Sequence, residues 1–159
     1  MTVQIDSREH DSAVTEIRRY FDENGVKHFS SKLFVGDYMS LDNARFCIDR
    51  KQNLLELCQN VCQEHDRFRR ELERANEYGI RLVFLTEHSA EIRTLDDVKD
   101  WQNPRLKKSK LAVSGERLYR VLRQLEATYG TKFYFCTKEQ TARGIIKLLK
   151  MNEGREAGA

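Results

Sequence analysis

The chain has 159 residues, a third of them charged, and a formal net charge of only +3. That length suits one domain with a single adequate core, and the small net charge confines any nucleic-acid binding to local patches. No apolar run approaches the ~20 residues of a membrane span, and no secretory leader is read at the N-terminus, so the expected location is the cytoplasm.

Val3 and Ile5 begin a short strand. Asp11 or Ser12 can cap a helix in which Val14, Ile17 and Phe21 keep helical spacing, and Asn24-Gly25 ends it. Residues 26 to 34 read as a strand leading into a hairpin, with Asp37 to Leu41 and Arg45 to Lys51 around a turn at Asp42-Asn43-Ala44. A long helix is predicted from about Asn53 to Asn76, with a dense charged face of Arg67, Arg69, Arg70, Glu71, Glu73 and Arg74. Ile80 to Thr86 is nearly continuously apolar, as a central strand covered on both faces should be. Residues 87 to 112 are the least regular stretch and hold the single proline. Ser114 caps a helix with Leu118, Leu122 and Leu125 inside, Phe133-Tyr134-Phe135 is a strand, and Thr137 with Gln140 forms a capping box for the last helix. Residues 1–151 are expected to form one domain, and 152–159 a disordered polar tail. The order is that of a mixed α/β fold with an antiparallel hairpin in a crossover-connected sheet and helices on both faces.

Chemistry concentrates in the hairpin. With Asn43 at the turn centre, Asp37 lies directly opposite Asp49, Cβ atoms roughly 5 Å apart. Strand alternation puts Lys51 on the face of Asp49 and turns Arg50 away. Two carboxylates this close repel unless something neutralises them, and oxygen ligands suit Mg²⁺ or Mn²⁺. The alternative is a solvated hairpin face with an ordinary Lys–Asp pair. The four cysteines at 47, 58, 62 and 136 form no Cys-x-x-Cys pair, against a disulfide framework or zinc ribbon. Cys58, Cys62 and His65 share a helical face as ligands do, but Leu54, Val61, Phe68 and Leu72 share it too, which favours a buried apolar stripe.

Asp6-Ser7-Arg8-Glu9 after a strand, Gly36-Asp37-Tyr38, and Asp49-Arg50-Lys51 occur in that order. Together they resemble the nuclease domain of the XPF-type structure-specific endonucleases, over roughly residues 3 to 150, in a compact stand-alone form similar to those of bacteriophages and prophages. The resemblance implies a restriction-endonuclease-like fold and a metal-dependent DNA endonuclease acting on branched, flapped or distorted DNA in replication, recombination or repair, in a bacterial or phage-infected cell. It implies Asp37 and Asp49 as metal ligands, with Asp6 as a further one, and roles for Lys51, Arg50, Glu9 and Arg8 in catalysis. Asp49 stands where the family has Glu, and Leu55 where it often has an acid. The family's C-terminal tandem helix-hairpin-helix module is not read here, which points to a homodimer or a DNA-binding partner protein. Lys107, Lys108 and Lys110, followed by Arg117 and Arg120 on one helix face, offer a phosphate track. No aromatic stacking platform is apparent. A non-enzymatic DNA-binding or assembly subunit, and a symmetric Holliday-junction resolvase, are the alternatives.

Overall fold

The computed structural model describes residues 1–9 and 11–153. Its centre is a six-stranded sheet in the order β2-β1-β3-β4-β5-β6. The strands are β1 (Thr2–Ile5), β2 (Lys27–Ser30), β3 (Tyr38–Ser40), β4 (Asn43–Lys51), β5 (Arg81–Glu87) and β6 (Phe133–Cys136). The helices are α1 (Asp11–Glu23), α2 (Leu54–Cys58), α3 (His65–Glu77), α4 (Gly115–Tyr129) and α5 (Thr141–Asn152). β1 pairs antiparallel with β3, and β3 with β4, while β2 on β1 and β5 and β6 beyond β4 are parallel. The mixed sheet is the one expected from the order of elements.

Strand alternation sorts the side chains into two cores. Val3, Ile5, Tyr38, Ile48, Val83 and Leu85 pack with α1 and α5 on one face. Cys47, Leu82 and Phe84 pack with α2, α3 and α4 on the other. There Phe84 lies between Phe68 and Phe133, with ring centroids 4.8 and 5.2 Å away. This aromatic stack pins β5 against α3 and β6. Leu118, Leu122, Ile145 and Leu149 are all fully buried, so these side chains serve packing and are not free for a subunit contact.

The hairpin register holds where it matters and fails at the turn. Tyr38 pairs with Ile48 and Met39 with Cys47, but Ser40 then pairs with Asn43 across a bulge. The reversal is therefore at Leu41-Asp42, with Ser40 Oγ accepting from Asp42 N–H at 3.2 Å. The bulge absorbs the extra residues in β4 and leaves the register beyond it as anticipated.

Three other expectations change. The strand predicted over 26–34 is confined to Lys27–Ser30, because only these residues run beside β1. The helix predicted from Asn53 to Asn76 is broken: a π turn at Gln59–Gln63 follows α2, and Glu64 leaves helical geometry before α3 starts. Cys58 and Val61 nevertheless stay in the apolar stripe with Leu54, Phe68 and Leu72, whereas His65 is half exposed at the surface. At the C-terminus, Asn152 closes α5 rather than opening a tail: its Nδ2 donates to Leu148 O and its carbonyl accepts from Asn43 Nδ2, both at 2.7 Å. The remainder of the anticipated tail, 154–159, lies outside the described residues.

Candidate active site

The hairpin delivers Asp37 and Asp49 to the face that carries α2 and α3. Gly36 supplies the entry. Its φ of +69° is the left-handed region, and an added Cβ would stand 3.0 Å from Leu82 Cδ1 and 3.1 Å from the Ile48 carbonyl. Asp37 N–H then donates to Ile48 O at 2.8 Å, and Asp37 Oδ2 accepts from Arg50 N–H at 2.7 Å. The carboxylate is thus locked to β4 through the main chain.

Asp49 is buried, and Lys51 Nζ stands 2.7 Å from its Oδ1. That contact is an ion pair by distance, but Oδ1 has no hydrogen bond of good geometry. Burial, the charge of Asp49 and that of Glu9 push Asp37 well above the ordinary carboxylate range. Asp49 is pushed up to about 6, chiefly by burial, against the pull of Lys51. Burial opposes the Lys51 ammonium, but Asp49 and Asp37 outweigh it and hold the group above its usual value.

Lys51 opens into a cleft of about 260 Å³ lined also by Glu56, Asn60, Glu64, Arg67, Phe68 and Glu71. The long π-broken connection supplies this wall. Glu56 Oε2 accepts from Gln52 N–H at 2.7 Å, while Asn53 Oδ1 caps α2 through Glu56 N–H at 2.8 Å. Glu56 and Glu71 both raise the affinity of Asp49 for a proton. Glu56 is the acid next to Leu55, where the resemblance expects one, whereas Glu71 is one of many charges on α3 in sequence.

Arg50 behaves as alternation demands. It points to the opposite face, with only 1% of its side chain exposed. Its Nε donates to Glu9 Oε2 at 3.0 Å and its Nη1 to Glu87 Oε1 at 2.8 Å. Tyr38 Oη donates to the same Glu9 oxygen at 2.9 Å, and Thr141 Oγ1 to Glu87 Oε1 at 2.9 Å. Arg50 and Glu9 therefore form a sealed polar knot behind the sheet. Glu87 and Thr141 belong to it and are missed in sequence, because they lie 37 and 54 residues from their respective partners.

The first segment meets the acid pair through the main chain, where Asp6 N–H donates to Asp37 O at 2.8 Å, but its Asp6 carboxylate is engaged elsewhere. Asp6 is buried and engaged by Arg8, whose Nη2 lies 2.6 Å from Oδ2, with a second donation from Nε at 2.9 Å. An Asp6 carboxylate bound in this fork is not presented as a free ligand. Arg8 also donates to Leu33 O at 3.2 Å and feels the charges of Asp37 and Glu71. Lys107, Lys108, Lys110, Arg117 and Arg120 are all exposed. Arg117 and Arg120 border a groove with Cys62 and His65, whereas the cleft at Lys51 has Arg67 as its basic wall.

Comparison with known proteins agrees with this anatomy. The model of the ERCC4 domain matches residues 5–149. The chain belongs to the ERCC4 domain family. XPF from Aeropyrum pernix superimposes with a TM-score of 0.68 at 20% identity, covering 98% of this chain and 66% of that one. The same protein in complex with DNA gives 0.67 at 17% identity, covering 99% and 68%. The chain thus spans about two thirds of the XPF chains it matches, and the likeness to them is one of fold. A search of curated proteins returns no match.

The donor set fits a hard divalent cation. Both carboxylates hold a proton more tightly than usual, Asp37 through burial and the charge of Asp49, Asp49 chiefly through burial, and Asp49 has a buried oxygen without a well-formed hydrogen bond. Among the described residues no three His, Cys, Asp or Glu side chains converge, so two acids are the protein's direct offer.

Proposed function

We propose that the protein is a metal-dependent DNA endonuclease whose cleavage centre is Asp37, Asp49 and Lys51. Family membership supports the coarser half of this reading, a DNA endonuclease. The DNA complex of the XPF relative supports DNA as the substrate. The observation that carries the finer half is the Asp37–Asp49 pair, one carboxylate half-buried and the other buried, beside an ammonium at the mouth of a cleft.

Asp37 and Asp49 would hold Mg²⁺ or Mn²⁺, which when bound supplies charge stabilisation and an acidified water for phosphodiester hydrolysis. Asp37 is positioned by the Arg50 and Ile48 main chain, so its oxygen is set before any ligand arrives. Lys51, with its raised proton affinity, is an ammonium at neutral pH. It serves as a donor to a phosphate oxygen or an anchor for the attacking water, not as the base. Arg8, which feels the charges of Asp37 and Glu71, would meet a phosphate, while Arg50 and Glu9 would act only through the segments they join. Branched or flapped DNA is the substrate class, and a second copy of the chain or a DNA-binding partner would extend a small contact surface.

The test is nicking of labelled flap, fork, four-way and linear DNA with Mg²⁺, Mn²⁺ or a chelator, beside Asp49→Asn. Cleavage that needs metal and falls by roughly 1000-fold or more in the variant is expected. Equal cleavage in chelator, or an active Asp49→Asn, refutes the proposal.

A further inference from the structure

Phe34 and Tyr78 are 44 residues apart in sequence and meet at the surface, with ring centroids 4.7 Å apart and planes 60° apart. They are 48% and 62% exposed, and no other ring contact among the described residues has both partners exposed. Arg74 sits over Phe34, its guanidinium carbon 5.1 Å from the ring centroid, and donates to the Phe34 carbonyl at 3.3 Å. Isolated surface hydrophobics need no explanation, but a paired, arginine-capped one does.

Its position supplies the explanation. Phe34 is three residues from Asp37, at most ~11 Å of chain. Arg67, Arg70 and Arg74 run along the exposed side of α3, and with Arg8 they line a groove of about 690 Å³. Glu71, Glu73 and Glu77 interrupt the groove, but Arg70 and Arg74 have no ion-pair partner among the described residues. Arg67 and Glu71 line both this groove and the cleft at Lys51, so the two are continuous. A groove that carries the row Arg67, Arg70 and Arg74 beside its glutamates therefore leads from the cleft at Lys51 to two exposed rings.

We propose that this path holds an unpaired DNA strand, its phosphates along Arg67, Arg70 and Arg74 and a base stacked on Phe34 and Tyr78. The occupant follows from the chemistry. Arginines supply phosphate contacts without sequence preference, and rings accept the face of any base. In a duplex those faces are covered by neighbouring bases, so only an unpaired segment can use the rings. The inference rests on the endonuclease reading for its biological sense, and it places the cut beside a single-stranded arm.

The experiment measures binding without metal, by fluorescence anisotropy of a labelled oligothymidylate about a dozen nucleotides long and an abasic strand of equal length. The wild type should prefer the strand with bases by about 10-fold, and Phe34→Ala or Tyr78→Ala should erase most of that preference while leaving the abasic affinity in place. Phe34→Trp should keep it, which separates stacking from misfolding. Arg70→Glu should weaken both strands alike. Equal wild-type affinity for the two strands overturns the proposal, as does an unchanged preference in both alanine variants or a blunt duplex competing as well as the single strand. Self-association that Phe34→Ala abolishes with oligonucleotide affinity intact would make the patch a contact between copies and also overturn it. A chain that cuts no DNA yet shows the Phe34-dependent preference loses the endonuclease reading alone; one that cuts without the preference loses the platform alone.

Discussion

Asp49, Arg50 and Lys51 are consecutive residues of one strand, yet they belong to two different polar centres. Asp49 and Lys51 face α3 as an ion pair, with Lys51 opening into a cleft and Asp49 Oδ1 lacking a well-formed hydrogen bond. Arg50 faces the other core, where its partner Glu87 is buried, its partner Glu9 is nearly so, and the hydroxyls of Tyr38 and Thr141 complete the knot. The first centre is destabilised by its own burial and suits binding a cation. The second ties the loop after β1 to β3, β4, β5 and α5 and suits holding the sheet end in place. A period of two in the backbone separates chemistry from scaffolding within three residues.

The comparison breaks first at Arg50. Arg50→Met leaves the buried Glu87 and the partly buried Glu9 without their cation, and breaking a buried pair costs about 3–5 kcal/mol. For a chain of this length the melting temperature should fall by roughly 6–20 °C. Lys51→Met is the opposite case. Asp49, already pushed up to about 6, can take up a proton when its partner is removed, so the melting temperature in metal-free buffer at pH 6 should stay within about 3 °C while cleavage falls by roughly 100-fold. Thermal melts of both variants, beside nicking rates below their melting points, decide it. A Lys51 variant as destabilised as the Arg50 variant would erase the distinction.

The distinction sharpens with pH. Asp49 titrates at about 6 in the folded chain against an ordinary 3.8, so the native state holds its proton more tightly than the unfolded state. The contribution of Asp49 to stability should then fall as pH rises from 4 to 7, by on the order of 3 kcal/mol at full ionisation. Asp49→Asn should flatten that slope and melt higher than wild type at pH 8 in chelator, even though Lys51 loses its partner. Denaturant melts between pH 4 and 8 measure it. A pH dependence that Asp49→Asn leaves unchanged would contradict the site's electrostatics.

The site half of this contrast was legible in sequence. Asp37 opposite Asp49 is the expectation of strand alternation about a turn at Asn43. The reversal is instead at Leu41-Asp42, and the Tyr38–Ile48 and Met39–Cys47 pairs next to the acids keep the expected register because the bulge takes up the difference before Cys47. The outward turn of Arg50 from Lys51 followed from the same alternation. Its partners did not, since Glu87 and Thr141 are brought to it by β5 and α5 and carry no local signal. The Phe34–Tyr78 pair was invisible for the same reason: a loop before β3 meets the C-terminal cap of α3 only in three dimensions. The single long helix failed because apolar spacing continues across Gln59–Gln63, and periodicity cannot report a π turn that keeps Cys58 and Val61 inside.

The smallest expected effect tests how finely the first centre is positioned. Gly36→Ala adds one methyl group at φ +69°, where a Cβ is strained, and pushes it to 3.1 Å from the Ile48 carbonyl and 3.3 Å from Cys47 Cβ. The backbone must shift to relieve it, at a cost of about 1–2 kcal/mol. That shift falls on the residue whose neighbour is Asp37, and Asp37 N–H bonds the same Ile48 carbonyl that the methyl group crowds. The carboxylate should move relative to Asp49 while the Arg50 knot, on the other face, stays intact. Metal affinity measured by calorimetric Mn²⁺ titration should therefore drop by about 10-fold for a melting-temperature loss of only about 2–8 °C. Unchanged Mn²⁺ affinity in a folded Gly36→Ala protein would show that the placement of Asp37 does not depend on this glycine.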